Sequence, residues 1–324
     1  MIADTALELG IIICTYCRPE LLRGCLRSVA AQRVPEGVTV RVYAVDNSDE
    51  GSAADVVQEV VAETGLDCRW MEAHPANISV ARNAGIAASI EPYVVFLDDD
   101  EVCEAGWIAA IAAGLRTYPH DVFFGRVETD FEKPELASEA VEQLFSRRLD
   151  REAGFELAAF GPGKVAGITL ATCNSIFRRA TTLTEAAPFD VAFGHGGGED
   201  YDLLCRLQRR GCRFGWLPDA VVREFVPAAR CDGGYLRGRF YAGGQAYAAA
   251  IAGGSANVGL ARWGLRARAV AQGVQLAAQL PFAIVKGGGA LADYSYRWAG
   301  VLGKLSFGAI HPIYRNGDHR KTGS

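Results

Sequence analysis

Short, wholly apolar runs alternate with amphipathic ones through the first part of the chain. Leu9 to Cys14 is apolar, and Pro19 opens a helical pattern that continues to about Gln32. Val38 to Asp46 reads as a strand closed by the polar cluster Asp46-Asn47-Ser48. A helix over Ala53 to Glu63, a strand over Cys68 to Glu72, a helix over Asn77 to Ser89 and a buried strand over Tyr93 to Leu97 follow. Strands alternating with helices predict an α/β fold with a mostly parallel sheet covered on both faces. Ligands of such sheets bind beyond the carboxyl ends of the strands. Three of those ends carry polar groups: Thr15 with Arg18, Asp46 with Asn47, and Asp98-Asp99-Asp100.

The middle of the chain is more mixed. Val122 to Glu128 is expected as a strand, Leu136 to Leu149 as a helix and Ile168 to Arg178 as another strand. Gly194-His195-Gly196-Gly197-Gly198 then precedes Glu199-Asp200 and a helix to about Arg210. Two short strands near Phe214 to Trp216 and Ala220 to Phe225 close the body. Beyond Ala229 the pattern is helical and rich in Ala, Gly and Arg, ending in a polar tail from about Asn316.

Charge divides the chain where the pattern does. The formal net charge is -5, yet residues 229–324 hold 12 Lys and Arg against three Asp and no Glu. An acidic body with a basic end suggests an anionic partner. The basic residues lie among apolar stretches, notably Arg262, Arg266 and Arg268 beside Trp263 and Leu265, which favours an anionic membrane surface over nucleic acid. A helical pair packed on the body, or a contact between copies in a homo-oligomer, is the competing account. Ala269 to Val285, the nearest approach to a spanning segment, contains three Gln and Pro281. The N-terminus shows no signal-peptide pattern, so the nine cysteines are expected as reduced thiols of a cytoplasmic protein.

Candidate chemistry sits at two carboxylate groups. Three consecutive aspartates at a buried strand end repel one another unless compensated, and a divalent cation such as Mn²⁺ or Mg²⁺ is the natural partner. Asp98 and Asp100 face the same way on an extended chain. The alternative is an acidic turn capping a helix from Glu104, for which one Asp would suffice. Glu199 and Asp200, after flexible glycines, stand at a helix start, either as helix caps or with Asp200 as a general base. Cys14-Thr15-Tyr16-Cys17 has the placement of a redox motif, but it lacks a second pair for zinc and fits a nucleotide contact equally well.

These segments occur in an order that resembles the family 2 glycosyltransferases of GT-A fold, and more narrowly the succinoglycan-type glucosyltransferases of exopolysaccharide assembly. The likeness rests on Ile12 to Pro19, Val45 to Ser48, Asn77 to Asn83, Phe96 to Glu101, Thr172 to Asn174 and Gly197 to Asp200. It extends through Val226-Pro227, Arg230 and Arg239 to Gln245, and fades past about residue 250. The resemblance implies a catalytic domain over 1–228, with a donor half to about 103 and an acceptor half from about 104. A basic helical extension over 229–324 would follow.

Residue by residue, the resemblance places Thr15, Arg18, Asp46, Asn47, Arg82, Asn83, Asp98 and Asp99 around a UDP-sugar, Asp99 in the more structural role. Asp100, with Asp98, would bind the metal. Glu199, Asn174 and His195 would meet the acceptor, and Asp200 would be the base of an inverting displacement. The implied reaction moves a hexose, glucose from UDP-glucose, to a lipid-diphosphate-linked saccharide at the cytoplasmic side of the inner membrane. Relatives often carry a His where this chain has Arg223, before Glu224-Phe225-Val226-Pro227. Arg223 cannot bind a metal but can pair with phosphate, leaving Asp100, the diphosphate, water and Glu224 for the cation. A sugar nucleotidyltransferase or a dehydrogenase would need a Gly-rich loop after the first strand, and Ile11 to Arg18 contains no Gly. A membrane-bound scaffold without catalysis is the remaining alternative.

Overall fold

A computed structural model describes residues 6–313, so the polar tail from Asn316 lies outside the described residues. The first part of the chain forms β1 (Leu7–Thr15), α1 (Pro19–Ala30), β2 (Val38–Asp46), α2 (Ala54–Thr64), β3 (Cys68–Glu72), α3 (Ile78–Ala88) and β4 (Tyr93–Asp98). Each matches an expected element to within a few residues at its ends. Alternation along β1 shows why its apolar run is unbroken. Leu9, Ile11 and Ile13 face a core under α1 and α2, while Ile12 faces a second core with Tyr43, Val45, Ala81 and Phe96. A strand covered on both sides has no polar face to keep.

The chain continues with β5 (Glu101–Cys103), α4 (Trp107–Thr117), β6 (Val122–Phe131), α5 (Glu139–Phe145), β7 (Glu156–Leu157), β8 (Ser175–Arg178), α6 (Arg179–Thr182), α7 (Glu199–Arg209) and β9 (Phe214–Val226). One nine-stranded sheet runs β3-β2-β1-β4-β8-β6-β9-β5, with β7 beside β9. The β1, β2, β3 and β4 pairings are parallel, as is β6 with β9, whereas β8 is antiparallel to both β4 and β6.

Four local expectations are corrected. The chain after Asp100 forms a strand, not a helix start, and α4 begins only after Gly106. The helix expected over 136–149 shrinks to Glu139–Phe145, because Arg147 leaves it to bridge Val127 and sit buried beneath the sheet. Of the strand expected over 168–178 only Ser175–Arg178 pairs, and Asn174 at φ 43° turns the chain into it. The two late strands are one, with a shift of register against Gly125 and Arg126.

Three helices follow: α8 (Gly233–Gly253), α9 (Val258–Lys286) and α10 (Gly288–Leu305). α8 packs on α7 and is covered by α10. The α8–α10 crossing is close enough to demand glycine, since a Cβ on Gly303 would stand 2.0 Å from the Tyr241 carbonyl oxygen. No described helix is long and apolar enough to cross a membrane.

Candidate active site

Strands β1 and β4 end side by side, which brings Thr15 and Arg18 onto the three aspartates. Thr15 Oγ1 donates to Asp99 Oδ2 at 2.7 Å, and Arg18 donates to Asp99 at 3.1 Å and to Asp100 at 3.2 Å. Arg230, from the turn after β9, lies 3.1 Å from the same Asp100 oxygen and 3.3 Å from Glu224. Asp100 is thus buried between two guanidinium groups, while Asp98 keeps 41 % of its side chain exposed. Asp99 is fully engaged, in keeping with a structural role.

Negative charge is nonetheless in excess here. Burial, then the neighbouring Asp100, lifts Asp99 to about 6 and Glu224 to about 8, against the pull of Arg18 and Arg230. Burial and then the charge of Asp98 push Glu101 well above the ordinary carboxylate range. Glu101 Oε1 is buried without a hydrogen-bond partner among the described residues. Oxygen donors and surplus negative charge suit Mg²⁺ or Mn²⁺ chemically. Yet no group of three or more His, Cys, Asp or Glu is arranged to hold a metal among the described residues. Asp98 and Asp100 are oxygen donors of this group that line the cavity together, Asp100 already paired with two arginines.

The opposite wall is the Gly-rich loop and the start of α7. Gly197 and Gly198, at φ 79° and 98°, turn the chain into the helix in a conformation that side chains resist. The loop is held by α3. Asn77 caps that helix through the Ser79 and Val80 amides and donates to the Val191 carbonyl at 3.1 Å. Ser79 donates to the Asp190 carbonyl at 2.9 Å, and Asn83 exchanges two bonds with Phe189. From the same helix Arg82 crosses to Glu199 and comes within 3.8 Å of Asp98. Despite burial, Glu199 and Asp98 hold Arg82 charged. Glu199 is 3 % exposed, burial with the neighbouring Asp200 raises it, and its Oε2 has no hydrogen-bond partner among the described residues. Asp200 is half-buried, with Oδ1 fixed by the Tyr201 amide at 2.6 Å.

A cavity of about 1070 Å³ joins the two walls. It is lined by Thr15, Arg18, Asn47, Arg82, Asp98, Asp99, Asp100, His195, Glu199 and Asp200, the exposed His195 at its lip. Four expected site residues lie elsewhere. Asp46 is wholly buried and spends both oxygens on Ser48 and the Ala53 amide, fixing the turn after β2. Asn83 is consumed by Phe189. Asn174 is wholly buried, accepting from Trp107 Nε1 and donating to the Arg126 and Ala220 carbonyls. Arg223 points outward from β9 to pair with Glu104 and Asp130, because Glu224, next along the strand, takes the inward face.

Sequence reasoning missed two arginines with work at this site. Arg230 was visible only as part of a resemblance. Arg147, read as helical, is 2 % exposed and bonds the Gly125, Ala171, Cys173 and Asn174 carbonyls, shaping the cavity floor. Cys14 and Cys17 are not joined in a disulfide, and burial pushes Cys14 up to about 12, so Cys14 offers no reactive thiolate.

The fold is that of GT-A glycosyltransferases. The chain superposes on the mannosyltransferase PcManGT from Pyrobaculum calidifontis, solved with GDP-Man and Mn²⁺, with a TM-score of 0.56 and 20 % identity over 93 % of this chain and 90 % of that one. It matches S. aureus TarS 1-349, solved in complex with UDP, with a TM-score of 0.55 and 16 % identity over 79 % of this chain and 69 % of that one. The glycosyl transferase family 2 model matches residues 10–179, and the chain belongs to that family. It is 31 % identical over 251 residues to the succinoglycan biosynthesis protein ExoM of Rhizobium meliloti (strain 1021), covering 77 % of each. Chondroitin synthase of Escherichia coli is 24 % identical over 68 % of this chain but only 35 % of its own length. The protein is a glycosyltransferase, which sets aside the scaffold and the nucleotidyltransferase.

Proposed function

We propose that this glycosyltransferase transfers a hexose, glucose from UDP-glucose, with inversion to a lipid-diphosphate-linked saccharide in bacterial exopolysaccharide synthesis. The observation that carries the reading is the placement of Glu199 and Asp200 across one cavity from Asp98 to Asp100, with Arg82 spanning the two walls. The likeness to ExoM supports the pathway class. Asn47, Thr15 and Arg18 border the nucleotide end, and Arg18 with Arg230 supplies positive charge beside the donor's diphosphate. A divalent cation held by Asp98 and Asp100 would offset the charge that grows on the departing UDP.

Glu199 accepts a hydrogen bond from the acceptor and orients it. Asp200 takes the proton of the attacking hydroxyl as that oxygen bonds to the anomeric carbon and the bond to UDP breaks on the opposite face. Holding base and donor on facing walls supplies the in-line geometry that inversion requires. His195, at the lip, is a further acceptor contact.

The basic C-terminal helices hold the enzyme at the cytoplasmic face of the inner membrane, where such acceptors lie. On α9 the exposed residues Leu260, Trp263, Val270, Val274 and Val285 fall on one helical face, opposite the packed Leu265, Ala269 and Leu276. The test is UDP release across several UDP-sugars, with Mn²⁺ or Mg²⁺ and with chelator. Asp200→Asn should lose turnover by about 10²-fold or more while still binding UDP. Full turnover in that variant would exclude Asp200 as the base.

A further inference from the structure

Beyond Asp200 the cavity continues onto a wall made by α8, α9 and α10 together with Tyr201 of α7 and Lys164 of the segment between β7 and β8, and its chemistry differs from that of the donor end. Tyr201 and Tyr247 stack with ring centroids 5.8 Å apart. Lys164 Nζ lies 5.8 Å from the Tyr201 ring and Lys304 Nζ lies 5.4 Å from the Tyr247 ring. All four residues line the cavity.

Two of the cations on this wall, Lys304 and Arg297, are positioned by amides. Lys304 donates to Gln272 Oε1 at 2.9 Å, and Arg297 donates to Gln279 Oε1 at 2.9 Å. Gln272, Gln275 and Gln279 follow one another along a single face of α9, and Arg297 and Lys304 stand one above the other on α10. Among the described residues no carboxylate lies within 4.0 Å of Lys164, Lys304 or Arg297. At the donor end of the same cavity, by contrast, Arg18, Arg82 and Arg230 each pair with carboxylates.

An amide carbonyl fixes a cation in place without cancelling its charge, so the wall keeps its positive field. Burial, and then the charge of Lys164, lowers Lys304 below its ordinary value. Two ammonium groups brought together on a shared aromatic pair carry a repulsion that an anion between them would relieve. Lysines serving only solubility would spread over open surface.

We propose that Lys164, Lys304 and Arg297 form a subsite for an anionic group on the acceptor, a phosphate or a carboxylate, with a sugar ring resting on Tyr201 and Tyr247. Tyr201 directly follows Asp200, so a sugar on this platform presents a hydroxyl to the base while its acidic group reaches the cations. The inference rests on the assignment of this half of the cavity to the acceptor.

The test measures binding, independent of turnover. Calorimetry on the full chain saturated with UDP compares octyl β-glucoside, the octyl phosphodiester of glucose 1-phosphate, and octyl β-glucuronide. The wild type should bind the phosphodiester or the glucuronide about tenfold or more tightly than the neutral glucoside, the gain of a charge-assisted contact. Whichever of the two is preferred identifies the acidic group. The advantage should fall to within about twofold in the Lys164→Gln/Lys304→Gln double variant and persist in Lys164→Arg/Lys304→Arg. UDP affinity in each variant reports that the donor half is folded. Equal affinity for all three compounds, no binding of any, or an advantage that survives the glutamine pair would overturn the subsite. UDP release from UDP-sugars is read separately, so failure of the transferase reading is distinguished from failure of the subsite.

Discussion

Arg82 donates to Glu199 across 117 residues of chain while its other nitrogen lies 3.8 Å from Asp98. One buried guanidinium therefore ties the carboxylate at the end of β4 to the one at the start of α7, and the two halves of the cavity share it.

Removing that guanidinium strands two carboxylates, one of them fully buried. Arg82→Met should destabilise the protein by roughly 3–5 kcal/mol, the cost of breaking a buried ion pair from one side. Pairing it with Glu199→Gln removes the uncompensated charge and should recover much of that loss. Turnover should remain at least about 10²-fold down, because an amide replaces the carboxylate proposed to hold the acceptor and Arg82 no longer positions it. Denaturant melts and UDP-release assays of the single and double variants check both. A double variant as unstable as Arg82→Met would refute the ion-pair account.

Arg223 and Arg230 provide a second contrast. Sequence favours Arg223 as the phosphate contact, but Arg223 is half-exposed with Glu104 and Asp130, and Arg230 faces Asp100. Arg230→Ala should raise the KM for UDP-sugar by about tenfold or more, as loss of a charge-assisted contact predicts. Arg223→Ala should change KM less than about twofold and stability by no more than about 0.5 kcal/mol, as for other surface pairs. The reverse order would return the phosphate contact to Arg223.

What the sequence discloses and what it hides follow from the range of the forces involved. The β-α rhythm from β1 to β4 is written in local periodicity, so each of those elements is legible, along with the strand ends that carry Thr15, Arg18 and Asp98 to Asp100. The chain from α4 onward depends on contacts between distant segments. Nothing local shows that Arg147 will leave a helix to bond four carbonyls, or that Asn174 will take φ 43° and latch Trp107. A motif can also be right in place and different in task. Of Asn77 to Asn83, only Arg82 reaches the charged centre, while Asn77, Ser79 and Asn83 brace the loop over 189–194. Inward and outward alternation on β9 decides between Arg223 and Glu224, and its register becomes known only once the partner strands are placed.

His120 should give stability a pH dependence of its own. It is 3 % exposed between Tyr118, Phe123 and Gly215, with both ring nitrogens lacking a hydrogen bond among the described residues. Burial holds it below its ordinary 6.5, with Arg213 adding to this while Glu156, 3.6 Å away, and Asp121 oppose. Above pH 6.5 both folded and unfolded chains carry neutral imidazole, and the contribution is complete. As pH falls through 6.5 toward the lower folded-state value, the unfolded chain takes up a proton that the folded one resists, so stability is lost. Denaturant midpoints should therefore fall more steeply in the wild type than in His120→Leu between about pH 7 and about pH 5. Parallel profiles would mean that Glu156 compensates the buried charge in full.

The outer face of α9 should carry the proposed attachment to an anionic membrane. Trp263, at 70 % exposure, and Val274, at 67 %, lie on the side turned from α8 and α10, while Arg262 and Arg266 sit over Phe307 at its flank. Apolar side chains entering the headgroup region gain about 25 cal/mol per Å² of surface taken from water, and each nearby cation adds about 1 kcal/mol on an anionic surface. Trp263→Ser with Val274→Ser should thus cut sedimentation with vesicles of anionic phosphatidylglycerol by about tenfold or more and leave UDP affinity as it was. Raised salt should weaken the wild type further, and neutral phosphatidylcholine should bind it poorly. Sedimentation unchanged by the two serines, or equal on neutral vesicles, would assign this face to another copy of the chain, which a concentration-dependent mass in solution would then reveal.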